Sequence, residues 1–242
     1  TEYYVQIDAT VFDDSSSNSY PGINDTTTLS FTTDGPEWTE LLGTSEHDYA
    51  KSITIGSDGC IYVTGQTEGD LDGQKNSGSS GSWDVFVSKY NPDGTKEWTR
   101  IIENSFQAKG ITSSNDGFIY VLDIRRGATA SYGYALSKYN LDGTKYWTEY
   151  IGNTNTTNGG AVITGNDGSI YVGGGTLGDL DGQTNYGYDD AFISKFNPDG
   201  TNEWSRLVSS GAYDYANALT IGNEGSIFVA GQIGKGNGSI SN

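Results

Sequence analysis

The chain of 242 residues holds one cysteine, one histidine, four prolines and no methionine. A lone cysteine, Cys60, excludes an intramolecular disulfide framework and reads as a small buried residue. A lone histidine, His47, leaves a histidine-based zinc site without partners. With no Gly-x-Ser-x-Gly turn in the chain it also makes no Ser-His-Asp triad, so it reads as a loop residue. No apolar run approaches the roughly 20 residues of a membrane-spanning helix, and no secretory leader pattern is present. Basic residues are few, 13 against 31 acidic, for a net charge of −18. Such a field repels nucleic acid and anionic lipid and makes both poor partners.

Helical periodicity with caps is missing as well, so helix content is expected near zero. What the chain has in quantity is glycine, 35 residues, and aromatics: 17 Tyr, 8 Phe and 5 Trp. A disordered polymer would lack those aromatic side chains. The composition points to a folded, glycine-rich, all-β protein.

Self-similarity organises this material. Trp38, Trp98, Trp147 and Trp204 share one short context, at spacings of 60, 49 and 57 residues. Between them runs Ser57-Asp58-Gly59-Cys60-Ile61-Tyr62-Val63, which returns at Asn115–Val121, Asn166–Val172 and Asn223–Val229. A third signature appears as Val85-Phe86-Val87-Ser88-Lys89-Tyr90, Ala135-Leu136-Ser137-Lys138-Tyr139 and Ala191-Phe192-Ile193-Ser194-Lys195-Phe196. Each unit reads as four short strands. In the first unit, residues 50–55 turn through Ser-Asp-Gly into residues 60–64. After a longer loop, residues 84–90 turn through Asn91-Pro92-Asp93-Gly94 into residues 97–102, the strand that carries the tryptophan. Four strands in about 50 residues, repeated, is the pattern of β-propeller blades; a solenoid of stacked units is the alternative. The four tryptophans are expected to pack between blades, and Lys89, Lys138 and Lys195 to pack or form ion pairs. Asp58, Asp116 and Asp167 fall where aspartate accepts backbone hydrogen bonds in tight turns.

These residues resemble the SBBP ("seven-bladed beta propeller") repeat proteins of bacteria. The matching elements are the Trp strand, Asp48-Tyr49-Ala50 and Asp214-Tyr215-Ala216, Asp-Gly-x-Ile-Tyr-Val-x-Gly, Gly-Asp-Leu-Asp-Gly-Gln, and Asp-x-Phe-x-Ser-Lys-Tyr-Asn-x-Asp-Gly. The likeness covers about residues 37–242. The second unit departs from it, lacking the Gly-Asp-Leu-Asp-Gly-Gln loop and holding Gly133 where the others have Asp84 and Asp190. The resemblance implies a bacterial extracellular or cell-surface scaffold for adhesion, or for recognition of a glycan or protein, rather than an enzyme. Fold alone does not decide this, because propellers host many functions. A carbohydrate-active hydrolase or lyase using paired carboxylates in the propeller channel is one alternative. A structural spacer in a large surface protein is another.

Residues 1–35 do not repeat. Residues 3–9 and 27–33 read as two strands around a polar loop and resemble the closing strands of a bacterial Ig-like domain, with Asp34-Gly35-Pro36 as the boundary to a propeller over 36–242. The repeats give one tryptophan strand, three sets of four and a final pair, 15 strands in all. A closed ring of seven four-stranded blades would need about 28. Open sheet edges are hazards that soluble proteins avoid, so a piece of a longer chain is expected, or an arc closed by self-association.

Two features are candidate binding sites. Gly69-Asp70-Leu71-Asp72-Gly73-Gln74 recurs as Gly178-Asp179-Leu180-Asp181-Gly182-Gln183. Alternate aspartates followed by glycine can offer oxygen ligands to a hard cation. Asp70, Asp72, Asp179 and Asp181 are therefore candidate calcium ligands, with Asp84 and Asp190 as further donors. The other reading is a solvated loop whose leucine tucks into the blade. Trp83, and Tyr186 and Tyr188 at the related loop of the third unit, are candidate stacking surfaces for a sugar, against rim packing as the plainer role.

Overall fold

A computed structural model describes residues 2–4, 30–32, 38–77, 82–126, 132–152 and 158–235. The chain divides into two units, Thr1–Thr39 and Glu40–Asn242. In the first, β1 (Glu2–Tyr4) pairs antiparallel with β2 (Ser30–Thr32). The rest of both expected N-terminal strands, the polar loop between them and the Asp34-Gly35-Pro36 boundary lie outside the described residues.

The second unit is strand and turn throughout its described residues. Its first sheet holds β3 (Asp48–Ile55), β4 (Ile61–Thr67), β5 (Asp84–Tyr90) and β6 (Lys96–Ile102). The second holds β7 (Ser105–Ser113), β8 (Phe118–Arg126), β9 (Tyr132–Asn140) and β10 (Lys145–Ile151). The third holds β11 (Ala161–Thr164), β12 (Ile170–Thr176), β13 (Asp190–Phe196) and β14 (Asn202–Val208). The last has two strands, β15 (Tyr215–Ile221) and β16 (Ile227–Gln232). All pairings are antiparallel and follow chain order within each sheet. The first strands β3, β7, β11 and β15 neighbour one another in succession. The result is an open row of propeller blades.

The turns explain the repeated signatures. Between the first two strands, the Gly59 and Gly168 amides bond back to the Gly56 and Gly165 carbonyls, at 2.9 and 3.0 Å. Both glycines hold φ near +80°, a region glycine enters without a Cβ penalty (φ 76° and 81°). Asp58 and Asp167 accept the amides of Cys60 and Ser169, at 3.1 and 3.0 Å, as turn aspartates do. Asp116 takes the Ser114 hydroxyl instead. Between the last two strands, Asp93, Asp142 and Asp199 each accept both the amide and the hydroxyl of the threonine two residues on.

Packing between blades is carried by a repeated cross-strand row. Tyr62, Lys89 and Trp98 lie opposite one another on β4, β5 and β6, as do Tyr120, Lys138 and Trp147 in the second blade, and Tyr171, Lys195 and Trp204 in the third. The tyrosine and tryptophan rings stand about 6 Å apart (6.0, 5.9 and 6.3 Å). Lys89 bridges Asp58 and Glu97 at 3.1 and 2.8 Å, and Lys195 meets Glu203 at 2.8 Å. Lys138 has aromatic neighbours instead, its ammonium 3.7 Å from the centre of the Phe118 ring, and it donates to the Pro198 carbonyl. The indoles then meet the following blade. A Cβ at Gly143, in the β9–β10 turn, would sit 3.2 Å from Trp98; one at Gly200, in the β13–β14 turn, would sit 3.3 Å from Trp147. Buried side chains accordingly gather into two cores, one between the first and second blades and one between the second and third.

Trp38 is a correction. It lies outside any strand and is 39% exposed, so among the described residues the repeats supply 14 strands rather than 15. An outermost strand pairs only with a third strand, as β6 does with β5. The described residues before Trp38 hold no such segment. Cys60, as expected, is buried and free of any disulfide. Truncating an inter-blade indole should cost far more than truncating a solvent-facing side chain. Trp147→Ala is expected to lower unfolding free energy by about 3 kcal/mol in a urea titration. Leu41→Ala, at a side chain 91% exposed, should change it by less than about 0.5 kcal/mol.

Candidate functional site

The loops joining the second and third strands of blades one and three are built alike. Leu71 and Gln74 exchange backbone hydrogen bonds at 3.0 and 2.9 Å around Asp72-Gly73, and Leu180 and Gln183 do the same around Asp181-Gly182. Asp72 and Asp181 have φ of 51° and 48°, and the glycines 74° and 76°, the paired positive values of a type I′ hairpin. Both leucines are buried in their blades. The repeated hexapeptide is thus a miniature hairpin pinned by its leucine.

Its aspartates serve different partners. Asp70 and Asp179 accept the amides of Asn76 and Asn185, at 3.0 and 2.9 Å. Those asparagines then bridge the loop. Asn76 donates to the Thr67 and Ser82 carbonyls, both at 3.0 Å, and Asn185 donates to those of Thr176 and Tyr188, at 2.8 and 2.9 Å. Asp72 reaches the outermost strand, taking Lys96 at 2.6 Å and the Thr99 hydroxyl; Asp181 takes Asn202 at 3.0 Å and the Ser205 hydroxyl. Asp84 and Asp190 close the loops, accepting the amides of Ser77 at 2.5 Å and Tyr186 at 2.8 Å. Among the described residues no three His, Cys, Asp or Glu side chains gather as a metal ion would require. The bracing asparagines were missed by sequence reasoning, although each stands six residues after the first loop aspartate.

On the loops' rim sit aromatic side chains. Tyr186 and Tyr188 are 64% and 55% exposed, and Tyr188 stacks on Tyr213 with ring centres 4.6 Å apart and planes 20° from parallel. Trp83 is half-buried, 5.3 Å from Tyr49 and 6.5 Å from His47. His47 lies in the loop before β3 and bonds Glu68 at 3.0 Å. The structure therefore places Trp83 in one blade's rim and the two tyrosines in another's. It adds Tyr213 and Tyr49, which precede or open first strands and so gave no local signal.

Charge states separate the loop carboxylates. Partial burial pushes Asp72 up, but the hydrogen bonds from Lys96 and Thr99 outweigh it and hold the group below the ordinary carboxylate value. Burial dominates at Asp84 and pushes it above that value, against the hydrogen bonds from Ser77. Burial likewise raises Asp190, with Asp214 and Asp189 nearby adding to the effect.

Three sheets of four antiparallel strands, two of them carrying the same braced loop between second and third strands, have the form of propeller blades. The SBBP family, described as a beta-propeller repeat, matches residues 37–72 of the chain. The chain is also similar to the regulatory protein FlaEY of Caulobacter vibrioides, 31% identical over 80 residues, 33% of this chain. It spans about 8% of that relative's length.

The two signs of shift give opposite pH responses. Asp72 contributes stability above its unfolded pKa of about 4, and this is lost as pH falls through its lower folded value. Asp84 costs stability as pH rises from about 4 through its raised folded value. In urea unfolding, Asp72→Asn should therefore lose stability relative to wild type at pH 7 and converge on it in acid. Asp84→Asn should gain relative to wild type between about pH 4 and pH 7. Parallel pH profiles for the two variants would contradict these assignments.

Proposed function

We propose that this chain is a non-catalytic propeller scaffold that recognises a glycan or protein surface through its rim loops, in an extracellular or cell-surface adhesion role. One observation carries the reading: the exposed stack of Tyr188 on Tyr213, with Tyr186 beside it, stands on a loop braced by Asn185 and Asp190. Aromatic faces held on rigid supports are suited to sugar rings and apolar side chains, because little entropy is lost on contact.

The carboxylates support the same reading. Asp84 and Asp190, both raised above the ordinary value, are turned to loop amides. The loops of the first and third blades share the hexapeptide hairpin but differ in length and in rim side chains beyond it, which is how a repeat scaffold diversifies its ligands. Similarity to a stretch of a regulatory protein fits a role exercised by binding.

Screening the chain on a glycan array and against surface-protein extracts tests the proposal. Tyr188→Ala is expected to weaken the captured interaction by about tenfold, the equivalent of 1.4 kcal/mol, with an unchanged circular dichroism spectrum. Ligand capture that ignores Tyr186, Tyr188 and Trp83 would move the site elsewhere. Turnover of a captured glycan would favour the hydrolase or lyase alternative.

A further inference from the structure

The second blade lacks the Gly-Asp-Leu-Asp-Gly-Gln hairpin, and the cleft on its face toward the first blade is correspondingly wide. Between the second and third blades a cleft of about 320 Å³ is lined in part by Leu180 and Asp181 of the third blade's hairpin. The matching cleft between the first and second blades measures about 470 Å³. Arg100, Ile102, Glu103, Arg125, Lys145 and Tyr150 line it. Three of these are cations and one is an acid, in a chain with 13 basic residues against 31 acidic.

We infer that this cleft binds the carboxylate of an acidic sugar, with Lys145 and Arg125 holding the charge and Tyr150 taking the ring. The neighbouring blades show what the Lys145 position receives. Lys96, Lys145 and Asn202 share one register position, opposite Tyr90, Tyr139 and Phe196. In the first blade the Asp72 carboxylate of the hairpin meets Lys96 at 2.6 Å and takes the Thr99 hydroxyl, itself bonded to Ser88 at 2.9 Å. In the third, Asp181 takes Asn202 at 3.0 Å and the Ser205 hydroxyl, itself bonded to Ser194 at 2.7 Å. The second blade keeps the receiving groups, Lys145 and the Ser137–Thr148 hydroxyl pair at 2.9 Å, without the hairpin carboxylate. No described carboxylate pairs with Lys145. The five residues joining β8 to β9, Gly-Ala-Thr-Ala-Ser, hold no acid that could supply one.

Arg125 is the independent observation. It stands where the first and third blades have Thr67 and Thr176, whose hydroxyls brace the start of the hairpin. The side chain is 7% exposed and firmly held. Asp123, at the position of Gly65 and Gly174, accepts from Nε at 2.7 Å and from Nη2 at 3.2 Å, and Nη2 also donates to Ser137 at 2.7 Å. Nη1 makes none of these bonds. Where the other blades bring a carboxylate to the hydroxyl row, this one brings a supported guanidinium, which reverses the sign of the cleft. A guanidinium already locked in place loses little entropy on meeting an anion. Asp123 balances Arg125, so Lys145 and Arg100, against Glu103, are left to attract an incoming charge. Tyr150 decides the class of ligand. It is 63% exposed and replaces the aliphatic Ile101 and Leu207 of the other blades. Leu207 suits the third blade's hairpin, its amide bonded to Gln183 at 3.2 Å; an open aromatic face suits a pyranose ring instead. This inference does not depend on ligand recognition by the rim tyrosines.

The probes are glucuronic acid, its neutral counterpart glucose, and the acidic peptide acetyl-Leu-Asp-Gly-amide, each titrated calorimetrically into the 242-residue chain. Saturable binding of glucuronic acid is expected, at least about tenfold tighter than that of glucose. Lys145→Ala and Tyr150→Ala, both at exposed positions, should each weaken it by about tenfold with unchanged circular dichroism. Lys96→Ala, at the matching position of the first blade where Asp72 already meets the lysine, should leave it unchanged. Absence of saturable binding would overturn the inference. So would equal losses in Lys96→Ala and Lys145→Ala, which would report diffuse surface charge instead of a site. Tighter binding of the peptide than of the sugar would assign the cleft to an acidic protein segment and overturn it too.

Discussion

The seat of two outer-strand indoles, Trp98 and Trp147, each on a glycine turn of the next blade, is the contact on which the rest of the fold depends. A four-stranded sheet with apolar side chains on both faces cannot bury them alone, so blades are stable only against neighbours. Trp98 on Gly143 and Trp147 on Gly200 fix how closely one sheet approaches the next. Both glycines are required twice, once for positive φ (81° and 94°) and once for the absence of a Cβ under the ring. Behind each indole, the lysine and tyrosine of the same row set its height. Phe228 and Val229 of β16, which no described strand covers, face solvent.

Much of this was legible from the amino-acid order. Strands appeared where β-branched and aromatic residues alternate between Asp-Gly turns, because those turns impose a local geometry that needs no tertiary information. Asp84–Tyr90 is found with the expected bounds, and neighbouring strands differ by one to three residues. Trp38 shows the limit of such reading. Its context copies that of the other tryptophans, yet strand formation depends on a pairing partner that a local motif does not reveal.

The rim was less legible. Gly-Asp-Leu-Asp-Gly-Gln looks like a cation loop because alternating carboxylates are what sequence displays; the positive φ of Asp72 and Asp181, which makes the segment a hairpin, is not. Trp83, Tyr186 and Tyr188 were identifiable as unrepeated or exposed aromatics. Their partners Tyr49 and Tyr213 come from other strands and loops, so only the fold assembles them. The repeated tyrosine, lysine and tryptophan rows serve packing, whereas Tyr186, Tyr188 and Tyr213 face outward.

Hydrogen exchange on Gly143→Val tests the inter-blade seat most directly, since a branched side chain there must both strain the turn and lift Trp98. If the seat couples the blades, amide protection falls in β5 and β6 of the first blade as well as in β9 and β10 of the second, while β13 and β14 keep theirs. Loss of protection confined to the substituted turn would contradict the coupling, and with it the account of how these sheets hold together.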